Sequence, residues 1–165
     1  MATTVTDKKI NVIDSKHVLW NQILAAAING DTTETTVDEE RELILSLDLP
    51  FVRDSVIAIA VSQDADEVIF DMNQIQEILE AATTAEPCFE RVEAIAQWLE
   101  MLDDRVEGNA NLYATIAYLY WWVELPHRSM HYAMSAVGLD PNHSLARLVA
   151  QGMSVGLPAP WKYNC

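Results

Sequence analysis

The chain has 165 residues, half of them apolar, with a formal net charge of −15 at pH 7. This is long and apolar enough for one domain with its own core, and it excludes a wholly disordered chain. Two cysteines, Cys88 and Cys165, with no CxxC pair, exclude a disulfide scaffold and a zinc ribbon.

The first 14 residues are polar and are expected to form a flexible N-terminus, followed by a single all-helical domain over 15–165. SKHVLWNQILAAAING reads as a helix capped by Ser15, with Leu19, Ile23 and Ala27 at helical spacing and Gly30 placed to end it. DTTETT is a loop, and Thr36 with Glu39 gives the T-x-x-E capping box that opens a second helix. Pro50 suits the first turn of a third, which carries VIAIAV. That run has the composition of a buried strand. No second strand of comparable strength is present to pair with it, so helix is the reading. Asp64 with Glu67 reads as a D-x-x-E start for a helix carrying Val68, Ile69, Met72, Ile75 and Leu79. Pro87 is expected in the first turn of the next, PCFERVEAIAQWLEML. Asn109 caps ANLYATIAYLYWWVE, Leu125-Pro126 starts HRSMHYAMSAVG, and Gly138 closes it. LDPNHSLARLVAQGMSVG is the last helix, and Trp161 in the tail LPAPWKYNC folds back on the body. The fold class is therefore all-α: about eight helices in antiparallel hairpins joined by short loops.

The charge is unevenly placed. Residues 31–107 carry twenty-one acids against Arg41, Arg53, Arg91 and Arg105, a net of −17, while 1–30 and 108–165 are each at +1. Direct binding of nucleic acid through that middle is excluded by like-charge repulsion. It is either a solvated, solubilising face or a surface for a basic partner protein. For the second use the candidate residues are Asp38, Glu39, Glu40, Asp64, Asp66 and Glu67.

The longest apolar run, ATIAYLYWWV at 114–123, is about half the ~20 residues a membrane-spanning helix needs, so no membrane role is expected. Apolar nearly all round, it reads as a central helix. Trp122, Tyr118 and Tyr132 are the aromatic candidates for a groove or interface. His127 and His131, four apart, have metal-ligand spacing but lack the Glu of the H-E-x-x-H motif. A third ligand would have to come from His143, Cys88 or a carboxylate, and no metal or cofactor is assigned. Nucleophile elbows and phosphate-cradling glycine loops are absent, so no catalytic residue is assigned and a non-enzymatic protein is expected. Arg53 and Asp54, neighbours in sequence, are expected to be structural, each pairing with a different helix or capping one. A homo-oligomer stays open.

Two resemblances add to this. Tyr113, Ala117, Tyr120, Ala136, Leu139 and Pro141, ending in AVGLDPN, resemble a tetratricopeptide-type hairpin over 111–147, although Ser129 stands where that family prefers a small residue early in its second helix. No second copy lies upstream. LPFVRDSVIAIA, VEAIAQWLEML and above all RSMHYAMSAVGLDPNHSLARLVAQGMSVGLPAPW resemble the C-terminal part of the actinobacterial family called domain of unknown function 4192. The chain keeps Asp140-Pro141, Ser144-Leu145-Ala146, Gly156 and Trp161 of that pattern, but its LPAPW separates prolines that are often adjacent there. The resemblance implies a cytoplasmic protein of an actinobacterium or its phage and supplies no activity. The expectation is a helical-hairpin protein-interaction module. The alternative is an acidic inhibitor, of anti-defence type, that mimics a nucleic-acid surface and blocks a nuclease or another DNA-handling protein.

Overall fold

The computed structural model describes the backbone of residues 5–164 and the side chains of 15–164. Eight α-helices are present among the described residues: α1 (Val5–Asn29), α2 (Val37–Ser46), α3 (Pro50–Val61), α4 (Met72–Ala82), α5 (Phe89–Arg105), α6 (Ala110–Trp122), α7 (Pro126–Leu139) and α8 (Ser144–Ser154). A 3-10 turn, Pro160–Tyr163, ends the chain. The fold is all-α, as the periodicity of the sequence indicates, and VIAIAV lies inside α3.

Local chemistry sets most of the boundaries. The Thr36–Glu39 capping box forms: the Thr36 side chain accepts from Glu39 N, and Glu39 Oε2 accepts from Thr36 N at 2.8 Å. Gly30, at φ +73°, takes the left-handed conformation that ends α1. Asn109 accepts from Leu112 N, and Pro126 opens α7 after Glu124 turns the chain at φ 57°.

Four boundaries differ from the sequence reading. α1 starts at Val5, so Ser15 lies within it and does not cap it, and of the N-terminal stretch residues 1–4 lie outside the described residues. Pro87 precedes the cap Cys88 of α5 and stands outside its first turn. Gly138 sits in the last turn of α7, which runs on to Leu139. Asp64 and Glu67 open no helix; 62–71 is an irregular connection, and α4 begins at Met72 with Asp71 as its cap. The reason is tertiary. Ser62 Oγ takes the amides of Asp64 and Ala65, Ser55 Oγ that of Ile69, and Asn21 Oδ1 that of Val68. Arg91 adds a clamp, giving Nε to Ile59 O at 2.9 Å and Nη2 to Ala65 O. With two amides satisfied by Ser62 within the segment and two by side chains of α1 and α3, 62–71 has no need of helical bonds.

The core is organised around α6. It touches α3, α5, α7, α8 and the C-terminal turn, and Leu112, Ala114, Ile116, Ala117, Leu119 and Tyr120 are wholly buried. On its far side α1 and α2 join through Trp20, which stacks edge-on against Trp98 of α5 and donates to Ser46 Oγ at 3.0 Å. On its near side α7 and α8 approach closely because the contact residues are small: Ala114, Ala117, Ala133, Ala136 and Ala146 are all at zero exposure. Ser129 is buried there too, its hydroxyl donating to Ala117 O at 2.8 Å. A three-residue link makes α6 and α7 an antiparallel hairpin.

Gly152 of α8 is part of this approach. A Cβ there would stand 3.0 Å from the Trp121 ring. That ring cannot retreat, because its Nε1 donates to Pro158 O at 2.9 Å and to Leu157 O. Gly152→Ala is therefore expected to destabilise the fold in urea titration, overpacking of about 1–3 kcal/mol outweighing a helix-propensity gain of about 1 kcal/mol. Gly138→Ala, where nothing lies within 4 Å of the added carbon, is expected to stabilise by up to about 1 kcal/mol in the same titration.

Candidate functional site

Folding sorts the charges of the acidic middle. Of the twenty-one carboxylates in 31–107, sixteen are exposed, whereas the four arginines are all engaged within the chain. Arg41 donates to Asp38 Oδ1 at 3.0 Å, Arg105 to Glu40 Oε1 at 2.7 Å, and Arg53 to Asp54, while Arg91 holds two carbonyls. Burial pushes the Arg91 guanidinium down from its ordinary value, with Asp66 and Cys88 opposing.

The acidic candidates fall into separate roles. Asp38, Asp64, Asp66 and Glu67 are exposed. Glu39 is exposed but occupied in the capping box, and the Thr36 amide and hydroxyl hold its carboxyl below the usual range. Glu40 corrects the sequence reading: at 1% exposure it cannot meet a partner. It accepts from Arg105 of α5 and from Thr35 Oγ1 at 2.7 Å, tying α2 to α5. The remaining residues lie on two elements, the first turn of α2 and the α3–α4 connection.

Arg53 and Asp54 also depart from expectation. They pair with each other, because the long arginine stem folds back: Nε and Nη2 both meet Oδ1, at 2.9 and 2.8 Å. Asp54 thereby lines a cavity of about 360 Å³ between α3, α4 and α6, together with Ile75, Leu79, Glu80, Tyr118 and Trp122. Two of the three aromatic candidates meet here. Tyr118 is half-buried, and burial pushes its phenol up, with the neighbouring Trp122 opposing and Asp54 reinforcing. Trp122 is 1% exposed, so it forms wall and core and is not an exposed anchor. Its buried Nε1 has the Tyr118 hydroxyl as neighbouring acceptor, the contact that opposes the rise of that phenol, although it falls short of full hydrogen-bond geometry. Its carbonyl accepts from Trp161 Nε1 at 3.0 Å, which fixes the C-terminal turn to α6.

The third aromatic, Tyr132, belongs to a different cluster, between α5, α6 and α7. It lies 6.1 Å from Tyr120 in a stack and 6.0 Å from Tyr113. Arg128 Nη1 donates to Tyr120 Oη at 2.8 Å, and Tyr113 Oη donates to Asp103 Oδ1 at 2.8 Å. Burial, then Asp103, pushes the Tyr113 phenol up to about 12, and burial, then Glu100, raises those of Tyr120 and Tyr132. These phenols stay protonated at neutral pH and act as hydrogen-bonding groups, not as bases.

The histidines are not gathered. His127 and His131 are exposed, and His131 packs edge-on against Tyr132 at 5.2 Å. His143 is buried elsewhere, capping α8: Nδ1 accepts from Ala146 N at 3.2 Å and Nε2 faces Asn111 Oδ1 at 2.8 Å. That assigns the proton to Nε2. No group of three or more metal-ligating side chains occurs among the described residues, and Cys165 lies outside them. Pro141 is exposed in the α7–α8 connection, where Asp140 Oδ1 accepts from Asn142 N.

Glu80, Arg105 and Asp103 were missed by the sequence reading. Glu80 carries a faint signal, as the acid one turn from Gln76 on α4, whereas Arg105 and its partner Glu40 are 65 residues apart with nothing local to join them. No protein-family model, curated protein or solved structure matches this chain.

Two outcomes follow from these contacts. Arg105→Ala strands the buried Glu40 carboxylate and is expected to cost about 2–3 kcal/mol in urea titration, against about 0–0.5 kcal/mol for Arg41→Ala, whose partner Asp38 is 91% exposed. His143 titrates below its ordinary 6.5, chiefly through burial and then Arg53. The unfolded chain thus takes up its proton first as pH falls, and stability drops from about pH 6.5 downward until the folded state is protonated too. Comparing urea midpoints at about pH 7.5 and 5.5, the loss is expected to shrink in His143→Asn, which keeps a capping side chain.

Proposed function

We propose that this chain is a non-enzymatic protein-interaction module of helical-hairpin type whose acidic middle engages a basic surface on another protein. One observation carries the reading: folding retires every arginine of 31–107 into an internal contact and leaves sixteen carboxylates facing solvent. Such a surface raises the local concentration of cationic partners and repels nucleic acid. The packed α6–α8 unit, with its alanine seam, supplies a scaffold of the kind stacked-hairpin proteins use for recognition. The tetratricopeptide-like pattern of 111–147 agrees with that use. The likeness to domain of unknown function 4192 adds no activity to it.

A second, narrower reading is favoured by 62–82, which carries six acids and no lysine or arginine. On this reading the chain is an acidic inhibitor that occupies the nucleic-acid groove of a nuclease or another DNA-handling protein.

The test is capture of a partner on the immobilised chain and on a variant with Asp38→Asn, Glu39→Gln, Asp64→Asn, Asp66→Asn and Glu67→Gln; Glu40 is left intact as a structural residue. The captured protein is expected to lose affinity steeply between about 50 and 300 mM salt, and by more than about tenfold on the variant. Indifference to both changes would sink the acidic-surface reading. Displacement of that partner by duplex DNA would select the narrower one.

A further inference from the structure

The cavity between α3, α4 and α6 brings apolar, aromatic and anionic groups together. Its floor is apolar, formed by Ile75 and Leu79, and its wall is aromatic, formed by Tyr118 and Trp122. Its rim carries two carboxylates, each with an oxygen in reserve. Arg53 spends both of its contacts on Asp54 Oδ1, and Gln76 Nε2 donates to Glu80 Oε1 at 2.8 Å. Asp54 Oδ2 and Glu80 Oε2 therefore accept no hydrogen bond described within the chain. Arg53, the cation bound to Asp54, has a side chain 15% exposed and is already paired.

We propose that this cavity receives an arginine side chain of the basic partner, its aliphatic stem on Ile75 and Leu79, its guanidinium plane against the aromatic wall and its N–H fork on the free carboxylate oxygens. Three arguments select arginine. A planar cation gains from aromatic faces and from carboxylates together. A volume of about 360 Å³ holds one such side chain and not a folded element. The flanking 62–82 segment, with six acids and no base, attracts the basic surface that would carry it. The source of the arginine rests on the acidic-surface reading above; the cavity's preference for a guanidinium does not.

The test titrates N-acetyl-arginine amide into the full chain, followed by proton–nitrogen correlation spectra, the Trp122 indole signal being assigned by its loss in Trp122→Phe. Saturable movement of that indole and of the Tyr118 amide is expected. N-acetyl-citrulline amide, the same shape without the charge, is expected to leave both in place. Glu80→Gln, at an exposed position, is expected to weaken the response about fivefold or more. An equal response to citrulline overturns the proposal, because the cavity then reads shape and not charge. Movement confined to acidic residues outside the cavity, or none up to about 50 mM, overturns it as well. The two failures are separable: salt-indifferent capture with a responsive indole removes the acidic surface and keeps the guanidinium site, and the reverse pattern removes the site and keeps the surface.

Discussion

Everything in this fold answers to α6, a helix that is apolar on nearly every side. A helix with one apolar stripe needs one neighbour; this one needs a ring of them, and α3, α5, α7, α8 and the C-terminal turn supply it. The two tryptophans at its end show how the ring closes. Trp121 faces α8 across Gly152 and binds the carbonyls of Leu157 and Pro158, while Trp122 faces α3 and α4 and receives Trp161 on its carbonyl. Successive helical residues point about 100° apart, so the pair fastens two different parts of the molecule.

The same constraint pushes charge outward. With so much apolar surface to cover, interior space is left for few polar groups, and most of those admitted are well paired: Glu40 with Arg105 and Thr35, Ser129 with Ala117, Trp20 with Ser46. The arginines, whose long stems can cover apolar surface, are held by internal partners. Most of the carboxylates, short and strongly hydrated, stay outside. An anionic surface is thus a by-product of building this core from this sequence, and its use in recognition is an additional step.

The helices were largely legible because periodicity and caps are local. The T-x-x-E box at Thr36, the glycine at 30, the asparagine at 109 and the proline at 126 each act within one turn of chain. The stretch 62–71 was misread because its D-x-x-E pattern is also local, while the groups that override it, Asn21, Ser55 and Arg91, come from three other helices. Glu40 looked like its neighbours Asp38 and Glu39, and nothing in 36–42 announces that Arg105 will arrive to bury it. The site was half visible: Tyr118, Trp122 and Asp54 stood out as residue types, but Glu80 did not, and no spacing rule joins positions on three helices.

The sequence by itself determined the helical class, most helix ends, the central place of α6 and the acidity of the middle, because all of these follow from neighbours within a few residues or from composition. Tertiary structure alone decided which carboxylates remain on the surface, that Arg53 and Asp54 close on each other, that His143 serves as a cap, and that α3, α4 and α6 leave a cavity walled by Tyr118 and Trp122. Those outcomes depend on contacts between residues tens of positions apart, and side-chain burial and pairing are settled only when the elements pack.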